Sequence, residues 1–356
     1  MRAARFYSLT APLVVEDVDE PVLRPGSAIV RVQAAFVPPF IGEVLNGNLQ
    51  QSLPPAPFTP GFDTIGIVEE VAPDVDGLRV GDHVYCNHAY ETQGELGADD
   101  YCFIGNFALQ ANGMNLLKEW PNGSFAERVV LPALCLAPLR NAARFDPALL
   151  CRLGWIGTAY GALTRAGLRR GQTVVINGAT GLVGTSAVML ALALGARRIV
   201  AVGRSRKVLR TLKELDSQCI ATVCLKELEE KHASEAIIDA TEGGSDIVVD
   251  AANAGTPESA MNAFTSLRRG GAMALVSDST VTLPISYMTV VDRGLSIVGT
   301  MWFRQSATTE FIGLVDSGVF DITRFEPTAY DLDHINEAIK AAATSERGLH
   351  HIAYVA

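Results

Sequence analysis

The sequence of 356 residues predicts an α/β protein in which a β-rich first part precedes a doubly wound parallel sheet. Up to about residue 150, short alternating apolar runs are separated by turns rich in glycine and proline. Beyond that point strand patterns alternate with helix patterns, which is typical of a parallel sheet covered by helices on both faces. The length favours two domains, because single cores stop growing at about 250–300 residues.

Three apolar runs of the first part alternate in the manner of strands, at residues 27–35, 64–71 and 81–85. Turn residues separate them. The stretch 87–120 is long and mixed in character, and we expect a lobe or loop there. The first part is therefore predicted to be irregular and mostly β.

The second part shows a regular rhythm. The predicted strands are 173–176, 198–202, 246–251 and 272–277, and the predicted helices are 182–194, 207–215 and 257–267. This alternation predicts right-handed crossovers and hence a parallel sheet. Towards the C-terminus, helix patterns at 309–317 and 333–344 precede a strand pattern at 351–356.

Charge and composition exclude several classes of partner. A net charge of −10 argues against nucleic acid, whose phosphates recruit basic surfaces. No apolar run reaches the ~18 residues that span a bilayer, and the N-terminus lacks the basic-then-apolar order of a signal peptide. We therefore expect a cytoplasmic protein that binds neither nucleic acid nor membranes. The six cysteines form no Cys-x-x-Cys pair and are expected to be reduced thiols.

The strongest motif is the stretch 174–184, where a strand leads into a glycine turn and then an apolar helix. Gly178 permits the tight turn, Gly181 lets the backbone approach a pyrophosphate, and Gly184 lets the helix pack on the sheet. The helix N-terminus offers N–H groups and partial positive charge to phosphates. The predicted dinucleotide contacts are Gly178, Ala179, Thr180, Gly181, Leu182 and Val183. The alternative is a strand–helix turn without a ligand.

The end of the next predicted strand indicates which dinucleotide binds. NAD-specific sites usually carry a carboxylate there, which accepts from the ribose 2′-hydroxyl and repels a 2′-phosphate. Here the carboxylate is absent, and guanidinium groups that fit a phosphate dianion follow. NADP(H) is therefore the predicted cofactor, with a solvated basic helix start as the alternative. The predicted contacts are Gly203, Arg204, Ser205, Arg206 and Lys207.

Further motifs occur in order along the chain. They are Pro60-Gly61-Phe62-Asp63 with Gly66, Val80-Gly81-Asp82-His83-Val84, Gly123-Ser124-Phe125-Ala126-Glu127 and Gly157-Thr158-Ala159-Tyr160-Gly161-Ala162. Together with the nucleotide turn they resemble the medium-chain dehydrogenase/reductase superfamily, over nearly the whole chain. The resemblance implies a GroES-like catalytic domain, a Rossmann domain, a C-terminal segment that returns to the first domain, and a cleft where nicotinamide meets substrate.

Zinc-dependent members of this superfamily carry ligands at three places that match Pro38, Phe62 and Gly154 in this sequence. None of these side chains binds zinc, whereas a catalytic site needs about three ligands. The stretch 87–120 also lacks the four-cysteine cluster of a structural zinc, since only Cys102 lies in it. The sequence thus resembles the zinc-independent branch, similar to quinone and enoyl reductases, and no metal is predicted.

The candidate catalytic residues are Thr158, Tyr160 and Asp63. The family's matching threonine lies beside the nicotinamide, and a phenol or carboxylic acid could protonate an enolate. Packing for Tyr160 and a local cap for Asp63 are the structural alternatives. Other candidate proton donors are Tyr90, Tyr101, His88 and solvent.

Aromatic residues are predicted to form an apolar wall for a flat substrate, with ordinary core packing as the alternative. They are Phe40, Phe62, Trp155 and Trp302. Polar residues that follow strands at the carboxyl edge of the sheet are further predicted cofactor contacts. They are Asn253, Ser277 and Thr300.

The predicted domains are a GroES-like catalytic domain at 1–154, a Rossmann NADP-binding domain at 155–298 and a returning segment at 299–356. As in relatives, the apolar stretch 295–303 is predicted to pair edge to edge in a homodimer. The predicted reaction is zinc-independent hydride transfer from NADPH to an activated C=C or C=O, in an enone, quinone, enoyl or iminium-like apolar small molecule. The alternatives are a zinc-free alcohol or polyol dehydrogenase and a non-catalytic NADPH-binding protein.

Overall fold

A computed structural model describes residues 1–49, 51–91, 101–110, 112–253, 255–277 and 280–356. Within the predicted lobe or loop at 87–120, residues 92–100 and 111 lie outside the described residues. The chain divides into two compact units. The first unit is Met1–Gly154, Arg304–Glu346 and His350–Ala356, and the second unit is Trp155–Phe303 and Arg347–Leu349. Residues 299–303, which we assigned from the sequence to the returning segment, lie in the second unit.

The helices and strands are numbered along the chain. The strands are β1 (Arg2–Arg5), β2 (Val14–Asp17), β3 (Ser27–Phe36), β4 (Phe62–Val71), β5 (His83–Cys86), β6 (Ala89–Glu91), β7 (Tyr101–Phe103), β8 (Arg128–Pro132), β9 (Leu136–Pro138), β10 (Thr173–Asn177), β11 (Arg198–Gly203), β12 (Ile220–Cys224), β13 (Ser245–Asp250), β14 (Leu267–Leu275), β15 (Ser296–Gly299), β16 (Glu326–Tyr330) and β17 (His350–Val355). The helices are α1 (Ile41–Leu45), α2 (Gly113–Glu119), α3 (Pro147–Leu150), α4 (Leu153–Arg165), α5 (Leu182–Ala193), α6 (Arg206–Leu215), α7 (Glu230–Thr241), α8 (Pro257–Thr265), α9 (Tyr287–Arg293), α10 (Thr308–Asp316) and α11 (Ile335–Thr344).

The first unit is built on a mostly antiparallel sheet in the order β16-β17-β3-β4-β5-β9, with β8 also paired to β3. Strand β3 is apolar nearly throughout because it is central, and only Arg31 is exposed on it. Gly66 of β4 packs so closely on β3 that a Cβ atom there would lie 2.4 Å from the carbonyl oxygen of Arg31. Strand β17 pairs with β3, so the C-terminal strand belongs to this first sheet.

The second unit is built on a parallel sheet in the order β12-β11-β10-β13-β14-β15. Every residue of β10 and β13 is buried, because helices cover both faces of a parallel sheet. The chain order reverses between β10 and β13, and such a switch point creates a crevice at the carboxyl ends of the strands. The α/β fold class predicted from the sequence is confirmed.

The predicted edge strand at 295–303 is shorter in the structure, where β15 ends at Gly299. The backbone then turns away from the sheet, since Trp302 adopts a left-handed φ of 57°. In the described part of the chain, no helix is both long enough and apolar enough to span a membrane.

Candidate active site

The nucleotide turn of the second unit is held by backbone contacts on both sides. The N–H of Ala179 donates to the carbonyl of Val202 (2.9 Å), and the N–H of Ala251 donates to the carbonyl of Asn177 (2.9 Å). Gly178 has a φ of +80°, and a Cβ atom there would lie 2.7 Å from the carbonyl oxygen of Ala251. Glycine is required by this conformation and this approach.

Helix α5 begins directly after the turn, with Gly181 as its N-cap residue. A Cβ atom on Gly184 would lie 2.1 Å from the carbonyl oxygen of Gly178, so close packing of helix on turn requires this glycine. At Gly181 the nearest atom would be 3.4 Å away, an ordinary contact. Packing within the chain therefore accounts for Gly184, whereas Gly181 is suited to the approach of a ligand. The helix terminus presents the N–H groups that bind phosphates.

A buried hydrogen bond lies directly before the nucleotide turn. The amide of Asn177 donates to Oδ1 of Asp250 at 2.9 Å, which joins the carboxyl ends of β10 and β13. Burial raises the pKa of the Asp250 carboxyl. Sequence reasoning missed Asn177, although its place directly before Gly178 was a usable signal.

The four polar residues that follow Gly203 differ in their surroundings. Ser205 caps α6, and its hydroxyl accepts from the N–H of Val208 at 3.4 Å. Arg206 forms an ion pair with Glu227, whose pKa it lowers. Arg204 is exposed and has no ion-pair partner among the described residues. Arg204 is thus the guanidinium best placed to meet an incoming phosphate.

Gly203 is the last residue of β11 and packs against the nucleotide turn. A Cβ atom on Gly203 would lie 2.5 Å from Cγ2 of Thr180. The other predicted cofactor contacts differ in exposure: Asn253 is exposed, Ser277 half-buried and Thr300 buried. The hydroxyl of Thr300 donates to the carbonyl of Trp302 (3.3 Å), so its bond is local.

Thr158 and Tyr160 lie on α4 in the second unit, Thr158 buried and Tyr160 half-buried. The indole rings of Trp155 and Trp302 meet edge to face, with centroids 6.1 Å apart. Trp302 also stacks on Phe303 at 5.5 Å. These two tryptophans therefore contact each other within the second unit, while their predicted role towards a substrate stays a prediction.

The other two aromatic residues of that prediction, Phe40 and Phe62, lie in the first unit and meet edge to face at 5.8 Å. Phe62 also contacts Phe103 (5.6 Å) and Phe107 (6.0 Å). These four rings are the aromatic cluster. Phe40 keeps some exposed surface, whereas Phe62, Phe103 and Phe107 are buried. Phe62 is therefore a core residue of the cluster, as the packing alternative predicted.

Asp63 lies beside this cluster and is wholly buried. Its backbone has a φ of 22°, unusual for a residue with a side chain. The hydroxyl of Tyr85 on β5 donates to Oδ1 at 2.7 Å, while Oδ2 has no hydrogen-bond partner among the described residues. Burial raises the pKa of the carboxyl to about 7. Tyr85 was missed by sequence reasoning.

The carboxylate of Asp63 is pressed against Gly154. A Cβ atom on residue 154 would lie 2.2 Å from Oδ2 and 2.3 Å from Oδ1. The space that a side chain at 154 would need is therefore filled by the carboxylate.

Two of the alternative proton donors have structural partners. Nδ1 of buried His88 bonds the carbonyl of Ile104 (3.2 Å), and the hydroxyl of Thr64 lies 3.0 Å from Nε2. Burial lowers the pKa of His88 to about 4, so the ring is neutral at physiological pH. The ring of Tyr90 packs edge to face on Trp120 at 6.4 Å.

Two family profiles match the chain, an alcohol dehydrogenase GroES-like domain over residues 24–141 and a zinc-binding dehydrogenase domain over residues 183–317. An alcohol dehydrogenase of Geobacillus stearothermophilus is 30% identical over 344 residues, which cover 96% of this chain and 95% of the relative. The chain belongs to the medium-chain dehydrogenase/reductase superfamily. As a member, it is an oxidoreductase of the alcohol dehydrogenase type, and the family implies a nicotinamide dinucleotide as cofactor.

Two other similar proteins are informative. An acryloyl-coenzyme A reductase of Sulfurisphaera tokodaii is 31% identical to this superfamily member over 157 residues, 43% of this chain and 44% of the relative. The solved alcohol dehydrogenase TADH from Thermus sp. ATN1 has a TM-score of 0.82 at 22% identity, covering 100% of this chain and 99% of that one. The latter likeness supports the fold.

The residues at the superfamily's zinc positions do not fit zinc. Pro38 and Phe62 offer no ligand atom, and Phe62 is packed among other rings. A cysteine at position 154 would collide with Asp63. Among the described residues, no group of three His, Cys, Asp or Glu side chains is arranged to hold a metal. We therefore derive no catalytic step through zinc.

Proposed function

We propose that this superfamily member transfers hydride from NADPH to an activated C=C or C=O bond of an apolar small molecule without a metal ion. The observation that carries the proposal is the contact between Asp63 and Gly154, because a carboxylate fills the place of a zinc ligand. A carbonyl that lacks a Lewis acid is a poor hydride acceptor, whereas a conjugated system already delocalises the incoming charge. Similarity to an acryloyl-coenzyme A reductase supports this substrate class.

The second unit supplies the proposed cofactor site. The backbone from Gly178 to Val183 would bind the pyrophosphate, and Arg204 would meet the 2′-phosphate. Arg206 would contribute once the phosphate competes with Glu227, because an ion pair between exposed side chains is weak. Bound NADPH supplies the hydride. Thr158 and Tyr160 are proposed to contact the nicotinamide or the substrate.

The first unit supplies the proposed proton. Tyr85 holds Oδ1 of Asp63 as acceptor, so the acid carries its proton on Oδ2. With a pKa of about 7, this carboxylic acid is partly protonated at physiological pH, the state that a proton donor needs. The complete burial of Asp63 keeps this acid out of bulk water.

We also propose a homodimer. Strand β15 lies at the edge of the second sheet, and its Ile297 is 38% exposed. The neighbouring segment α9 exposes Tyr287 (81%), Met288 (63%) and Val291 (55%). The unpaired edge of β15 and the apolar side chains beside it are unfavourable in water, and the same edge of a second copy would pair with the strand and bury them.

A second candidate is a zinc-free alcohol dehydrogenase. The name of the Geobacillus relative favours it. In that reaction the Asp63 carboxylate would accept the proton of the alcohol, and activity would rise as pH passes about 7. In the favoured reaction activity would fall over the same range, so the pH profile separates the two.

The cofactor proposal is tested by replacing Arg204→Glu. We expect NADPH binding to weaken by about 100-fold, because a carboxylate repels the 2′-phosphate, while NADH binding stays within about twofold. Arg210→Glu, an exposed substitution on the following helix α6, is the control of equal charge change and should leave both unchanged. Fluorescence titration with both nucleotides measures this. Equal weakening of NADPH and NADH by Arg204→Glu would contradict the proposal.

A further inference from the structure

Two buried oxygen atoms of the first unit have no hydrogen-bond partner among the described residues. They are Oδ2 of Asp63 and the hydroxyl oxygen of Tyr101 on β7. Buried polar atoms are nearly always bonded, since an unsatisfied one destabilises the fold. Such an atom can be satisfied by an ordered water or by a ligand.

Tyr101 contacts the aromatic cluster directly, and Asp63 follows one of its residues in sequence. The ring of Tyr101 meets Phe103 edge to face at 5.3 Å, and Phe103 lies 5.6 Å from Phe62, the residue before Asp63. Burial raises the pKa of Tyr101 well above its usual value, and the carboxylates of Glu91 and Asp63 raise it further. Asp63 is therefore within electrostatic reach of this hydroxyl.

We propose that Tyr101 is a catalytic residue whose hydroxyl donates a hydrogen bond to the substrate oxygen. The inference rests on one part of the proposed function, namely that hydride transfer places negative charge on an oxygen atom of the substrate. Because its pKa is raised, Tyr101 keeps its proton and stabilises the charge on the substrate oxygen as a fixed dipole. The carboxyl group of Asp63 gives a proton to the substrate in reduction and accepts one from it in oxidation. Asp63 and Tyr101 would then form the polar end of an otherwise aromatic substrate site.

The geometry also indicates the shape of the ligand. Phe40 and Tyr101 are the rings of this group with exposed surface, whereas Phe62, Phe103 and Phe107 are buried. A ligand bound here would enter beside the partly exposed rings and would have an aromatic surface to pack on. A flat conjugated ketone presents both the apolar face and the single oxygen that such a site needs.

The test is Tyr101→Phe, with Tyr90→Phe as the control. Tyr90 lies on β6, which pairs with β7, and its cross-strand partner is Cys102. Because successive residues of a strand point to opposite faces, the control removes a hydroxyl from the other face of the same hairpin. We expect Tyr101→Phe to lower kcat for cyclohexenone by about 100-fold, the usual effect of losing one oxyanion donor. NADPH affinity should be unchanged.

Thermal unfolding gives the second measurement. Because the Tyr101 hydroxyl is unsatisfied, its removal should leave the midpoint unchanged or raise it, whereas loss of a structural hydrogen bond would lower it. Equal cyclohexenone reduction by wild type and Tyr101→Phe would overturn this inference and leave the proposed function standing. If wild type oxidises benzyl alcohol but does not reduce cyclohexenone, and Tyr101→Phe slows that oxidation, the proposed function fails and the role of Tyr101 stands.

Discussion

Gly184 of the second unit and Gly154 of the first unit are both held by close packing, but against different kinds of group. Gly184 in the second unit faces a backbone carbonyl, 2.1 Å from where its Cβ atom would be. Gly154 in the first unit faces the side-chain carboxylate of Asp63, 2.2 Å from the equivalent position. The first glycine serves a backbone device that binds any dinucleotide phosphate. The second lies where zinc-dependent relatives carry a metal ligand and makes room for an acid.

The two proposed sites differ in what the sequence must specify to build them. A phosphate site made of N–H groups needs only a chain path, so glycines at the right spacing are sufficient to build it. A proton site needs particular side chains brought together from distant strands. We therefore expect that a second substitution can restore the stability lost at Gly154, where the obstacle is a side chain. No single substitution should restore the stability lost at Gly184, where the obstacle is backbone.

The largest effect is expected for Gly184→Ala. Since the obstacle is backbone, the helix must move away from the turn, and we expect a loss of more than about 3 kcal/mol in the free energy of unfolding. NADPH binding should fall below detection. Urea denaturation and fluorescence titration measure these quantities.

Gly181→Ala is the matched control on the same turn. Its Cβ atom would make an ordinary 3.4 Å contact, so stability should change by less than about 0.5 kcal/mol. Nucleotide affinity should nevertheless fall, because the added methyl meets the ligand. Similar losses of stability at 181 and 184 would refute this account of the turn.

A smaller effect is expected for Gly154→Ala, about 2–3 kcal/mol of overpacking against Asp63. Here the obstacle is a side chain, so combining the change with Asp63→Ala should recover most of the loss. A double-mutant cycle by chemical denaturation gives the coupling free energy. Simple additivity of the two substitutions would show that the carboxylate does not occupy this space.

The smallest effect is expected for Asp63→Asn, and it depends on pH. The pKa of Asp63 rises from 3.8 in the unfolded chain to about 7 in the folded one. The folded state therefore binds the extra proton between these values, and stability falls as pH rises from about 4 to 7, by about 2 kcal/mol between pH 5 and 8. Asparagine keeps the acceptor for Tyr85 and does not titrate, so this part of the pH dependence should vanish.

The nearby titratable groups are Tyr85, Cys86, Cys151 and Tyr101. All have pKa values raised by burial and stay protonated over that range. An unchanged slope of stability against pH in Asp63→Asn would assign the titration elsewhere.

The sequence was sufficient for the second sheet and the nucleotide turn, because buried parallel strands are apolar throughout and glycine spacing reflects backbone geometry. It predicted β15 as too long, since an apolar run gives no sign of the left-handed φ that Trp302 adopts. The sequence also indicated that the side chains of Pro38, Phe62 and Gly154 do not bind zinc. It did not indicate that Tyr85 bonds the Asp63 carboxylate, because that depends on the pairing of β4 with β5, which places Tyr85 opposite Ile65.

The partner of Arg206 escaped prediction for a similar reason. Glu227 lies 21 residues away, shortly after the end of the neighbouring strand β12. Only the parallel pairing of β11 and β12 brings the two charges together. Of the basic residues after Gly203, the sequence alone could not tell which has a carboxylate partner.

The most direct test of the central claim is turnover by protein stripped of metal. The chelator-treated enzyme, with its zinc content measured, is assayed for NADPH oxidation by cyclohexenone and naphthoquinone. The account predicts full activity at substoichiometric zinc and a preference for NADPH over NADH. Activity that disappears with the chelator and returns with added Zn²⁺ would contradict it.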